Sequence, residues 1–145
     1  MGGTFDHLHE GHKSLIKTAL SISNNIVIGL TTKKLLKNKK AASKLEDYET
    51  RKLNLENFIK TITDINRVKI IELNDMYGPP INESEYEGIV VSQETYKVAL
   101  EINKIRESKG FEPLIITVIP IIKDKNNKKI SSTAIREKLL KKKEN

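Results

Sequence analysis

Residues 14–21 read SLIKTALS and residues 26–32 read IVIGLTT, and the change of rhythm between them decides the fold. In the first, Leu15, Ile16, Ala19 and Leu20 recur at the spacing of one helix face, while the second is a short β-branched run. The order is helix, then strand. The same pairing returns downstream. Residues 46–62 place Leu53, Leu55, Phe58, Ile59 and Ile62 on an approximate helical face, and residues 68–73 (VKIIEL) form a strand that stops at Asn74 and Asp75. A Gly78-Pro79-Pro80 turn follows, then a strand at 88–92 (GIVVS) and a helix at 95–108 that Gly110 closes. Residues 114–122 (LIITVIPII) are an almost continuous apolar strand, and residues 131–142 a final basic helix. Strands apolar on both faces and separated by helices predict an α/β fold, a parallel sheet with helices on each side.

The composition sets the bounds. A chain of 145 residues buries roughly two-thirds of its unfolded surface, enough for one core, so residues 1–145 are expected to form a single domain. There is no cysteine, which excludes disulfides, thiolate metal sites and a thiol nucleophile and fits a reducing compartment. No apolar run approaches the ~20 residues of a membrane span, and the polar start does not read as a signal peptide. The expectation is a cytoplasmic protein with no membrane partner. The formal charge is +7, with lysines dense over residues 33–44 and in the tail KLLKKKEN. Such blocks read first as solvated segments, second as a nucleic-acid footprint; a third reading is a basic lip that draws in small phosphorylated substrates.

Against this background the opening MGGTFDHLHEGHK holds all three histidines of the chain, His7, His9 and His12. In a parallel α/β sheet, ligands bind at the carboxyl ends of strands, where loops meet helix N-termini. GGTFD reads as such a loop: Gly2 and Gly3 permit close backbone approach, and the helical pattern begins at His12 or Lys13. His9 and His12 then stand at the helix entrance, where free N–H groups, the helix dipole and imidazole donors favour a phosphate. His7 reads as an exposed polar loop residue. Zinc is disfavoured, because H-E-G-H lacks the His-x-x-x-His spacing of a helical zinc pair. Near the other end, KISSTAIREKL offers Ser131, Ser132 and Thr133 as N-caps and Arg136 one turn later, a second convergence of donors on one anion.

HEGH (residues 9–12) after GGTFD, together with ISSTAIR, resembles the nucleotidyltransferase superfamily marked by HxGH and a C-terminal ISSTxxR. Within it the chain resembles phosphopantetheine adenylyltransferase of the archaeal and eukaryotic type, on YETRKLNL (48–55), DMYGP (75–79), VVSQET (90–95) and KVALEINKIRESKG. The resemblance implies a Rossmann-like nucleotidyltransferase fold and transfer of AMP from ATP to 4′-phosphopantetheine, giving dephospho-coenzyme A and pyrophosphate. By matching positions it also implies roles. His12 binds and stabilises the α-phosphate; His9 binds nearer the leaving phosphates; Thr4 orients the acceptor phosphate. Gly2, Gly3, Phe5 and Gly11 belong to the same nucleotide-binding segment, and Ser131, Ser132, Thr133 and Arg136 hold the β- and γ-phosphates. Ser92, Glu94 and Thr95 line the nucleotide or pantetheine pocket. A lysine holds the acceptor phosphate; Lys33, Lys34, Lys37, Lys39 and Lys40 compete for that part, with Lys39 or Lys40 preferred. Mg²⁺ is expected to arrive with ATP rather than in a protein cage.

The resemblance also implies a first strand of about five apolar residues, between the second and fourth strands of a 3-2-1-4-5 sheet. Only Met1 precedes GGTFD, so the sequence predicts an absent or truncated first strand and an N-terminally shortened chain. Two other functions stay open: a sister enzyme such as a cytidylyltransferase or FAD synthetase, and a non-catalytic nucleotide or nucleic-acid binder.

Overall fold

The computed structural model describes residues 1–36 and 45–120. In chain order these form β1 (Gly2–Gly3), α1 (Glu10–Ile22), β2 (Ile26–Thr31), α2 (Tyr48–Ile62), β3 (Val68–Leu73), β4 (Gly88–Ser92), α3 (Tyr96–Ser108) and β5 (Ile115–Ile119). Every strand pair is parallel, as the helix-strand alternation requires: β1 pairs with β2, β2 with β3, and β4 with β5.

The single expected sheet is divided into a three-stranded sheet, β1-β2-β3, and a two-stranded one, β4-β5. The reason lies in β1. Its two residues face Gly29 and Leu30 of β2, and the chain then turns away at Thr4, so no ladder of useful length is offered to β4. The two sheets still share one core. Val90 of β4 and Ile119 of β5 join Phe5, Ile16, Ile26, Ile28, Leu30, Leu55 and Ile59 in a single buried cluster. Helix α1 packs on β4 and β5, α2 on β2, and α3 on β4. Adjacent strand residues face opposite sides, so Val90 and Val91, both buried, cover β4 above and below.

Local chemistry explains the boundaries. Asp47 caps α2 by accepting the Thr50 N–H at 2.7 Å. Asp75 accepts the Tyr77 and Gly78 N–H groups, which turns the chain into the Gly78-Pro79-Pro80 bend at a Gly78 φ of 69°. Gly110, at φ 77°, follows α3 as expected. Two expectations of burial fail. Leu53 is 57% and Ile62 39% exposed, because the buried stripe of α2 runs through Arg51, Leu55 and Ile59, one turn apart. Ile115 is 74% exposed, so β5 is not apolar-buried on both faces. The basic helix of 131–142, residues 121 and 122, and Lys37, Lys39, Lys40, Ser131, Ser132, Thr133 and Arg136 lie outside the described residues.

Candidate active site

Because the strands of the first sheet are parallel, their carboxyl ends share one edge, and there residues 4–9 lead from β1 into α1. The path is strained: Phe5 and His7 hold φ values of 49° and 47°, a left-handed conformation that costs a non-glycine residue ~1–2 kcal/mol. Phe5 is nevertheless almost fully buried, its ring lying where a Cβ on Gly3 would come within 3.1 Å. That contact explains Gly3.

Helix α1 begins at Glu10, two to three residues earlier than the sequence suggests, because His9 is its N-cap. His9 Nδ1 accepts the Gly11 N–H at 3.1 Å, and His12 Nδ1 accepts the His9 N–H at 3.2 Å. This is a reciprocal capping box built from two imidazoles in place of a hydroxyl and a carboxylate. It fixes the tautomer, since a ring whose Nδ1 accepts carries its proton on Nε2 when neutral. The rings stack with centroids 3.8 Å apart and planes 20° off parallel, and Phe5 lies 5.3 Å from His12. Burial lowers the His9 pKa below its ordinary value and outweighs the opposing pull of Glu10. Two Nε2–H donors at a helix N-terminus suit an anion with several oxygens.

A set of residues that sequence reasoning missed holds this loop in place. Asp6, fully buried, accepts the Glu46 N–H at 2.9 Å; Glu46 in turn accepts the His7 N–H at 2.7 Å and an N–H of Asn54 at 3.3 Å. Arg51, 2% exposed, donates to the carbonyls of Thr4 (3.0 Å), Thr31 (2.8 Å) and Glu46 (3.0 Å). Burial lowers the Arg51 pKa, and Asp6 is the carboxylate that most opposes this. A signal was available: Arg51 sits four and eight residues before Leu55 and Ile59, on their stripe. His7 is also not the exposed residue expected, being half-buried with Nε2 3.5 Å from an Asp6 oxygen.

Asp6, His7 and Glu46 bring one ligand atom each within 4.8 Å of one another. Their carboxylates, however, already serve backbone and amide donors, which does not fit a cage for Mg²⁺. An open groove of about 740 Å³ lies beside the loop, lined by His7, Lys13, Asn54 and Phe58 among others, but not by Thr4, His9 or His12.

The structure thus gathers Gly2, Gly3, Thr4, Phe5, His9, Gly11 and His12 in one strand-loop-helix unit. Ser92 and Thr95 meet at the carboxyl end of β4, where the Ser92 N–H donates to Thr95 Oγ1 at 3.2 Å; Glu94 stands in the same turn, exposed. Lys33 and Lys34 are exposed in the turn after β2.

The cytidylyltransferase-like family model matches residues 1–138. The chain is 45% identical over 140 residues to the phosphopantetheine adenylyltransferase of Pyrococcus abyssi (strain GE5 / Orsay), covering 97% of this chain and 88% of that one. A crystal structure of a protein of unknown function from Archaeoglobus fulgidus matches with a TM-score of 0.72 at 30% identity, over 83% of this chain and 95% of the other. A bifunctional NMN adenylyltransferase/ADP ribose pyrophosphatase from Francisella tularensis shares the fold, with a TM-score of 0.66 at 15% identity over 98% of this chain and 41% of that one.

Proposed function

We propose a reaction from one premise: the chain belongs to the cytidylyltransferase-like family and, within it, to the phosphopantetheine adenylyltransferases. It transfers AMP from ATP to 4′-phosphopantetheine, forming dephospho-coenzyme A and pyrophosphate in coenzyme A synthesis. The observation that supports the chemistry is the imidazole capping box, in which Nδ1 of His9 and of His12 each accepts a backbone N–H at a helix N-terminus, so that each neutral ring carries its proton on Nε2, a donor suited to a phosphate oxygen.

In this reading a phosphate oxygen of the acceptor attacks the α-phosphorus of ATP in line, and the bond from that phosphorus to the bridging oxygen breaks as pyrophosphate leaves. No side chain becomes covalently bound. Thr4 orients the attacking phosphate, His12 Nε2 meets the charge that grows on the α-phosphate, and His9 Nε2 lies toward the leaving phosphates. Gly2, Gly3, Phe5 and Gly11 let backbone and substrate approach. Ser131, Ser132, Thr133 and Arg136 bind the outer phosphates, and Ser92, Glu94 and Thr95 line the base or pantetheine side. Lys39 or Lys40 holds the acceptor phosphate. Mg²⁺ enters as part of the ATP substrate, neutralising its phosphates. We place residues 1–145 in one domain and the enzyme in the cytoplasm, with no nucleic-acid or membrane partner.

Pyrophosphate release from ATP, with and without 4′-phosphopantetheine, tests the reading. Release that requires the acceptor supports it; a folded protein with no acceptor-dependent release overturns it. Raising the melting temperature with CTP or FMN rather than ATP would transfer the chain to a sister activity.

A further inference from the structure

Arg51 is a buried cation whose hydrogen bonds to the Thr4, Thr31 and Glu46 carbonyls converge on the edge where the site is built. One nitrogen, Nη1, donates both to the Thr4 carbonyl at 3.0 Å and to the Thr31 carbonyl at 2.8 Å, so a single group sets the spacing between the β1–α1 loop and the end of β2. Its Nε adds the Glu46 carbonyl at 3.0 Å, just before α2. Glu46 completes the circuit by receiving the His7 N–H and giving its own N–H to Asp6. Residues 4–7 are therefore fastened to residues 46–51 from both directions. They include the two strained positions, Phe5 and His7, which persist only where the surroundings over-determine the backbone.

We infer that Arg51 is a positioning residue for adenylyl transfer: it holds the Thr4 main chain, and through it the Thr4 side chain, at the place where the acceptor phosphate must be aimed. A planar guanidinium is required because its N–H groups point in fixed directions at separate carbonyls, which an ammonium on a shorter stem cannot reproduce. Arg51 touches no reacting atom in this scheme. The inference rests on the reading of Thr4 given above.

Two measurements on the full chain test it. In the free protein, Arg51→Lys should speed amide exchange of residues 4–9 about tenfold while β3 keeps its protection. Unchanged exchange in the loop would overturn the inference, whatever reaction the protein performs. In steady state, Arg51→Lys should lower kcat/KM for 4′-phosphopantetheine roughly 10- to 100-fold, with the KM for ATP within about twofold of wild type. Joined to Thr4→Ala, it should add no further loss, because both act through one group. Losses that multiply, or equal rises in both KM values, would reduce Arg51 to a structural residue. Should Arg51→Lys fail to fold, Glu46→Ala loosens the same loop by removing the acceptor of the His7 N–H and must show the same non-additivity with Thr4→Ala; multiplied losses there overturn the inference equally. A wild-type protein without acceptor-dependent turnover would instead remove the reading of the reaction, leaving the exchange result to judge the loop.

Discussion

Two arginines are buried among the described residues, and they hold different things. Arg106, on α3 and fully buried, donates to the carbonyls of Glu112, Pro80, Glu83, Ser84 and Tyr86, gathering the segment between β3 and β4 against the helix. Arg51 gathers the loop that carries Thr4 and leads to His9. Both are bonded mainly to main-chain oxygens rather than paired side chain to side chain, so each acts as a fastener of irregular chain. What differs is the cargo: a connecting segment in one case, the loop that enters helix α1 in the other. The lesson is that a buried cation is read by what its acceptors carry, not by its burial.

The largest effect should come from Arg106→Ala. Five carbonyls would lose a charged donor, and the cost is ~3–5 kcal/mol, as when one partner of a buried charged contact is removed. The melting temperature should fall by roughly 10 °C or more, while kcat measured well below the transition stays near wild type. A loss of kcat in the folded variant would break the distinction between the two arginines.

Next is His12→Ala. Removing a donor aimed at charge that develops in the transition state costs about 2.7–4 kcal/mol, a fall of ~10²–10³ in kcat. ATP binding, followed by titration, should weaken far less. If binding and kcat fall together, His12 serves the ground state and the loop is a binding element only.

A third arginine sharpens the contrast. Arg136→Ala should cost ~1.5–3 kcal/mol in ATP affinity, the worth of a hydrogen bond to a charged group, and leave phosphopantetheine binding nearly unchanged. Equal weakening of both, read by calorimetry, would move Arg136 away from the outer phosphates.

The smallest effect concerns pH. Burial lowers the His9 pKa from 6.5, and protonation places the new proton on Nδ1, the atom that accepts the Gly11 N–H. The unfolded chain then binds this proton more readily than the folded one, so the contribution is present above about pH 6.5 and is lost as pH falls through the lower folded value. His9→Asn keeps a capping oxygen without the titration. Its melting temperature should drop less than that of wild type between about pH 7.5 and pH 5.5; an equal drop would exclude His9 as a source.

How much of this was legible depended on which force set each feature. Strands Val68–Leu73 and Gly88–Ser92 follow from apolar runs closed by turn residues and coincide with the sequence reading. The start of α1 did not, because histidine is not a usual cap and its role there depends on a second histidine three residues on. The face of α2 was read in part: Leu55 and Ile59 are buried and Phe58 packs on the core as expected, but Leu53 is exposed while Arg51 is buried, since the carbonyls of Thr4 and Thr31 offer the guanidinium partners that no periodicity reveals. The division of the sheet arises from the two-residue length of β1, a matter of tertiary pairing rather than propensity. At the site, the sequence read Thr4, His9 and His12 as neighbours on one loop and helix entrance, and the structure has them in one strand-loop-helix unit. It assigned no part to Asp6, Glu46 or Arg51, although Asp6 lies in GGTFD and Arg51 in YETRKLNL, because their hydrogen bonds run largely to main-chain atoms distant in sequence.

The central claim, that this loop aims an acceptor phosphate at the α-phosphorus of ATP, is tested most directly by identifying the product. Incubating the chain with magnesium ATP and 4′-phosphopantetheine and weighing the products by mass spectrometry should yield dephospho-coenzyme A and pyrophosphate in equal amounts, with no AMP set free. Pyrophosphate accompanied by free AMP, or no adenylylated acceptor at all, would contradict it.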